Sequence, residues 1–215
     1  MRITITIILL LTMNIVKAES QDLTVDIWVD NWFEMYVNGN KVLEDSVPIT
    51  TERSFNAETA KFTTELPALI AIHAKDFKEN DTGLEYIGTS RQQMGDGGMI
   101  FQIKDAQSGR IIAASDPSMR CLVIHHAPID PACAAEQDPV AGQGPCGFEE
   151  RNIPAGWNDF DFDDSAWPVA TEYSEGTVRP KDGYDRIQWD SRASLVWSSD
   201  LIQDNTLLCR LVVEG

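Results

Sequence analysis

The chain has 215 residues, with 17 Lys and Arg against 34 Asp and Glu and a formal net charge of −17. A surface this acidic repels nucleic acid and anionic lipid, because neither phosphate array gains counterion release from it, and it leaves cations as the natural partners. The length sits where one core, or one large β domain, is sufficient.

Residues 1–18 join Arg2 to an apolar run over 3–16 and a short-residue step at Val16-Lys17-Ala18. That order predicts a secretory signal peptide cut after Ala18, with an apolar run too short to span a bilayer. Its removal takes away Arg2 and Lys17 and leaves a charge of −19 on residues 19–215. These are expected to form a single β-sandwich domain, secreted or held peripherally at the outer cell surface, with no transmembrane segment. Val25, Ile27 and Val29 alternate and predict a first strand over 22–29. Residues 30–39, DNWFEMYVNG, form an extended apolar-aromatic run closed by Asn38-Gly39, a pair suited to the positive-φ positions of a tight hairpin. An edge segment at 41–43 follows.

The stretch 52–66 is polar and interrupted, and reads as strand only near Phe62. Leu66-Pro67-Ala68 then introduces 69–77, where Leu69, Ile70 and Ile72 crowd both faces of an interior strand. Residues 83–105 predict a strand pair turning at Gly95 to Gly98. CLVIHH at 121–126 is a short strand ended by Ala127-Pro128, and 129–157 is a long loop rich in Pro, Gly and Cys. Segments 194–199 and 207–213 close the chain as strands. Short strands, long loops and no sustained 3.6-residue period predict an all-β sandwich.

Four cysteines in an exported chain allow three pairings. Cys133 and Cys146 flank a loop that gains most from a local staple, which by elimination leaves Cys121 with Cys209. Thiolate metal ligation is the rival, and no Cys-x-x-Cys spacing supports it.

Three segments carry a resemblance: Asp30-Asn31 with Phe33 to Gly39, Ala71-Ile72-His73-Ala74-Lys75-Asp76, and Phe162-Asp163-Asp164-Ser165-Ala166-Trp167. Together they resemble the galactose-binding-like jelly-roll domains, although the third segment here follows the hairpin instead of preceding it. Within that superfamily the layout is similar to the secreted copper-repressible, copper-binding proteins of methane-oxidising bacteria. That resemblance implies copper held by two histidines and an oxidised tryptophan, for acquisition, storage or buffering outside the cytoplasm. No tryptophan lies between His73 and His125, where the modified ring is expected.

The chain has three histidines, His73, His125 and His126, and imidazole suits copper. Neighbours on a strand point to opposite faces, so one ion takes His73 with one of the pair, and the resemblance favours His125. Asp76, Asp130 and Met119 are candidates for further or supporting ligands. The plain alternative is three hydrogen-bonded strand histidines with no ligand. Asp159, Asp161, Asp163 and Asp164 give an oxygen-dense run suited to calcium, without the glycine and glutamate of an EF-hand loop. Otherwise it is a solvated acidic loop.

Asp76, Asp81, Asp96 and Asp116 are scattered and suggest no paired carboxylates. No nucleophile elbow appears, and Gly95 to Gly98 lacks the helix and lysine of a phosphate loop, so a binding protein is expected, not an enzyme. Six tryptophans make a carbohydrate-binding or surface-adhesion module, stabilised by calcium, the rival reading. Trp32, Trp157 and Trp189 are its surface candidates; Trp28, Trp167 and Trp197 read as packing.

Overall fold

The computed structural model describes residues 19–214, and the expected signal peptide lies outside them. Alternation of apolar residues produces the first strands, β1 (Ser20–Asp30) and β2 (Trp32–Val37), which β3 (Asn40–Glu44) follows. Next come β4 (Asn56–Glu65) and β5 (Ala68–Lys75), then the two-residue β6 (Leu84–Glu85) and β7 (Gln93–Met94). The middle of the chain holds β8 (Gly98–Asp105), β9 (Ile111–Ala114) and β10 (Arg120–His126). The last are β11 (Glu149–Glu150), β12 (Thr171–Tyr173), β13 (Leu195–Trp197) and β14 (Asp204–Val213).

Two antiparallel six-stranded sheets result. One runs β12-β13-β8-β1-β4 with β9 also on β8, and the other runs β11-β10-β14-β5-β2-β3. Their inner faces enclose one apolar core, with Val25, Ile27, Met99 and Phe101 on one side and Met35, Ile70, Ile72 and Leu207 on the other. This is an all-β sandwich with disulfide-stapled loops, consistent with a jelly-roll-like fold. Strand β5 is apolar on both faces because the chain from Trp157 to Trp167 folds over the outside of its sheet, covering Leu69, Ala71 and Leu208.

The hairpin at β2–β3 forms at the expected pair, with Asn38 at φ 48° and Gly39 at φ 81°. The polar stretch behaves differently. It gives the ten-residue β4, paired with β1 from Ser20↔Glu65 to Val29↔Asn56. An edge strand packs on one side only, so Thr59, Lys61, Thr63 and Glu65 can face water and hide the strand from a hydropathy reading. The pair expected within 83–105 is also different. Leu84 and Glu85 pair with Met94 and Gln93, while Gly95 to Gly98 carries the chain away to β8 in the first sheet. Both disulfides are those expected, Cys121–Cys209 between facing residues of β10 and β14, and Cys133–Cys146 within the loop.

Asp45, just past β3, is 5% exposed. Its Oδ1 accepts from the Val47 N–H at 2.7 Å, and its Oδ2 has no partner. Burial pushes this carboxyl up to about 6 despite that donor. A pKa raised on folding means the native state holds the proton longer, so stability falls as pH rises from about 4 to 6 and stays reduced above. Asp45→Asn keeps the acceptor and removes the charge. Urea melts should show it more stable by about 1–3 kcal/mol at pH 8, with no gain at about pH 3. A gain of equal size at both pH values would refute that account.

Candidate metal site

Three carboxylates meet where the two sheets come together at one end. Asp30 ends β1, Asp76 follows β5 directly, and Asp96 lies between β7 and β8. One oxygen from each falls within 4.8 Å of the other two, the spread expected of ligands about 2.3–2.6 Å from a common ion. Asp30 is 0% and Asp76 2% exposed. Among the described residues this is the one group of three or more acidic, histidine or cysteine side chains so disposed.

Each carboxylate is held by one oxygen, and in Asp30 and Asp76 the other is left without a partner. The Asp96 N–H donates to Asp76 Oδ2 at 3.1 Å, and the Lys181 ammonium donates to Asp30 Oδ2 at 3.3 Å and Asp96 Oδ2 at 2.8 Å. Asp30 Oδ1 and Asp76 Oδ1 are buried and unpartnered. The backbone is tied here too. Asn31, joined to Asp30 by a cis peptide, donates its N–H to Lys75 O at 2.7 Å and accepts from the Phe77 N–H at 2.6 Å. Gly95 is required by close approach, since a Cβ there would overlap the Asp76 carboxylate.

The electrostatics are unbalanced. Asp30, Asp76, Asp96 and the nearby buried Glu85 surround a single ammonium. Burial first, and then the Asp96 charge, hold Asp30 well above the usual carboxylate range. Asp76 is raised likewise by burial and by Asp30. Burial lifts Glu85 to about 7, against the hydrogen bond from Gln93. Burial opposes the charge on Lys181, but Asp30 and Asp96 outweigh it and raise its pKa. Buried oxygens in this state take either protons or a cation.

This cluster was not legible as a site. Asp76 and Asp96 look scattered in the chain, and the structure corrects that by folding the Gly95 loop over the end of β5. The signals available were the acid at the end of an apolar strand and the glycine beside Asp96.

The histidines occupy other places. His73 on β5 faces Leu208 of β14, and His125 on β10 faces Thr206, so β14 lies between their strands and separates them by about 10 Å. His73 Nδ1 is 3.5 Å from Glu34 Oε2, and its ring meets Trp32 edge-on at 5.9 Å. His125 Nδ1 is 3.0 Å from Asn205 Oδ1, its ring stacks on Phe148, and its Nε2 is 3.5 Å from Asp81 Oδ1 without a hydrogen bond. Both Nε2 atoms are buried and unpartnered. Burial first, and then Lys75 beside His73 and Lys78 near His125, lower both pKa values and favour the neutral, ligating imidazole. His126 is apart, its Nδ1 2.6 Å from Asp204 Oδ1.

Asp159, Asp161 and Asp163 are all exposed, and Asp163 accepts from the Ser165 N–H. The carbonyls of their loop turn inward onto Arg210 of β14, which also pairs with Asp164. Met119 is a core residue, and Asp130 caps a short 3-10 turn. Trp157, a surface candidate in the sequence, is buried against Tyr36 because its loop covers the sheet, whereas Trp32 and Trp189 are half-buried. No helix among the described residues is long and apolar enough to cross a membrane.

Comparison with known proteins finds no matching family model, no matching curated protein and no matching solved structure, so the likeness to the copper-binding proteins rests on the residues quoted for it.

Proposed function

We propose that the protein binds a hard divalent cation, calcium before others, through Asp30, Asp76 and Asp96. The observation that carries this is the convergence of Asp30, Asp76 and Asp96, one oxygen of each within 4.8 Å of the other two, in a place where Asp30 Oδ1 and Asp76 Oδ1 are buried without a partner. All-oxygen donors select calcium or magnesium over soft ions. Lys181 and the Asp96 N–H act as outer supports, each fixing one oxygen and so aiming the other. An ion held there joins the end of β1 in one sheet to the end of β5 in the other. An exported acidic protein of this kind serves in cation binding or buffering outside the cytoplasm.

A second reading keeps copper at His73 and His125, supported by their neutral rings and unpartnered Nε2 atoms. It requires both rings to turn toward one another across β14.

One set of titrations tests both. Protein stripped on a chelating resin is titrated with Ca2+ and, anaerobically, with Cu(I), followed by calorimetry and thermal melts. Calcium at 100 times its Kd should stabilise the fold by about 2.7 kcal/mol. Asp76→Asn should fold, and should lose that calcium-dependent gain. A full gain in Asp76→Asn would end the carboxylate reading. Loss of copper uptake in His73→Ala with calcium binding intact would establish the second site, and retained tight copper binding would remove it.

A further inference from the structure

A second feature opens beside the carboxylates and has a different chemistry. It is a cleft of about 700 Å³, within the range of small-molecule sites. Arg53, Arg91, Arg179 and Lys181 line it, together with the rings of Phe55 and Tyr86. Glu52, Glu85, Asp96 and Asp182 line it as well, so bases match acids here in a chain with twice as many acidic as basic residues. Residues 19–214 contain 15 Lys and Arg, and four of them converge here.

The three arginines are not spent on the protein itself. Among the described residues Lys181 pairs with Asp30 and Asp96, but Arg53, Arg91 and Arg179 enter no ion pair. Arg91 instead lies over the Tyr86 ring at 4.0 Å, and Lys181 lies over Phe55 at 4.6 Å. Stacking of that kind holds a cation in place while leaving its donor edge free. Of the carboxylates in its lining, Asp96 shares Lys181 with Asp30, Glu85 is buried beneath, and Glu52 and Asp182 enter no ion pair among the described residues, so the three arginines face two carboxylates that are not otherwise paired.

The backbone gives an independent indication. Among the described residues three non-glycines have positive φ, and one is Asn38 of the hairpin turn. The other two are Tyr86 at φ 53° and Arg179 at φ 52°, both in the wall of this cleft. Arg179 is the left-handed cap that ends the four-residue helix Glu175–Val178, its N–H on Glu175 O, so its backbone needs no ligand, whereas Tyr86 caps no helix and its conformation costs about 1–2 kcal/mol. Here they set the Tyr86–Arg91 stack and the Arg179 guanidinium around one space.

We infer that this cleft binds a small polyvalent oxyanion, one with at least two carboxylate or phosphate groups, through the planar donor edges of Arg53, Arg91 and Arg179. Guanidinium forks match both oxyanions bidentately, so the shared chemistry is the oxyanion and the geometry does not require the cation site to be filled.

The test uses resin-stripped protein in 150 mM NaCl, so its result does not depend on the cation site. Citrate and inorganic pyrophosphate are titrated separately by calorimetry, with glycerol as an uncharged control. Saturable one-to-one binding of either anion supports the inference, and which one binds identifies the class as carboxylate or phosphate. The double substitution Arg53→Gln/Arg91→Gln should weaken binding at least tenfold with an unchanged far-UV spectrum. Arg110→Gln, at an exposed arginine outside the cleft, should leave it unchanged. Binding of neither anion overturns the inference, as does an equal loss in Arg110→Gln, which would mean general charge attraction.

Discussion

Replacing Arg210 with methionine is expected to cost the fold about 3–5 kcal/mol, the range for breaking a buried ion pair from one side. Arg210 is 3% exposed, and its Nε donates to Asp164 Oδ2 at 2.7 Å. Its two terminal nitrogens donate to the carbonyls of Trp157, Asp159 and Phe162. Methionine fills much of the volume and offers none of these donors, so the carbonyls of Trp157 and Phe162 lose their donor, Asp159 O keeps only the Phe162 N–H, and Asp164 keeps only Arg120 at 3.9 Å. The loop over the outer face of β5 should then loosen and wet Trp157 and Trp167, both of which pack there. Urea melts at neutral pH give the energy, and a red shift of tryptophan emission before the main transition reports the loop. A loss below about 1 kcal/mol would mean that the carbonyls find water without penalty.

The disulfides should rank by the loops they close. Cys121 and Cys209 are 88 residues apart, and Cys133 and Cys146 are 13 apart. Chain-entropy reasoning gives about 4–5 kcal/mol for the first and about 3 kcal/mol for the second. The first also ties β10 to β14 in the middle of the sheet, so Cys121→Ala/Cys209→Ala should lower stability globally. Cys133→Ala/Cys146→Ala should act more locally, around Leu84, which packs on that bridge. Denaturant melts of the two double variants check the order, and a reversed order would place the main stabilisation in the loop.

How far the chain could be read depended on whether a residue's role was local. The β2–β3 turn was legible because Asn38-Gly39 requires a backbone that few other pairs adopt. Strand β5 was legible from its apolar run, and both disulfides from one short loop and elimination. Strand β4 was not, because an edge strand's polar face looks like a loop. The carboxylate cluster was hidden for another reason: Asp30, Asp76 and Asp96 come from three turns of the chain that the pairing of β1 with β8 and of β2 with β5 brings to one end. The acidic run at 159–163 attracted notice by density alone, while the cation its loop carbonyls meet, Arg210, lies about fifty residues further on. Three histidines were easy to find, but which ring nitrogen lacks a partner is a tertiary fact.

The long edge of β4 carries one more consequence. Beyond Asn56 and Ala57, on which the chain at Gly183 packs, its outer side has no neighbouring strand and is the kind of template on which a second chain can add one. Lys61, Glu58 and Glu65 stand along it as charges that deter such addition. The sequence has an isoelectric point near 4.4. At that acidity the net charge vanishes and the molecules stop repelling one another as wholes. Mild acid, before it unfolds anything, is therefore the condition in which this edge becomes sticky and the protein is most exposed to assembly into fibres or precipitate.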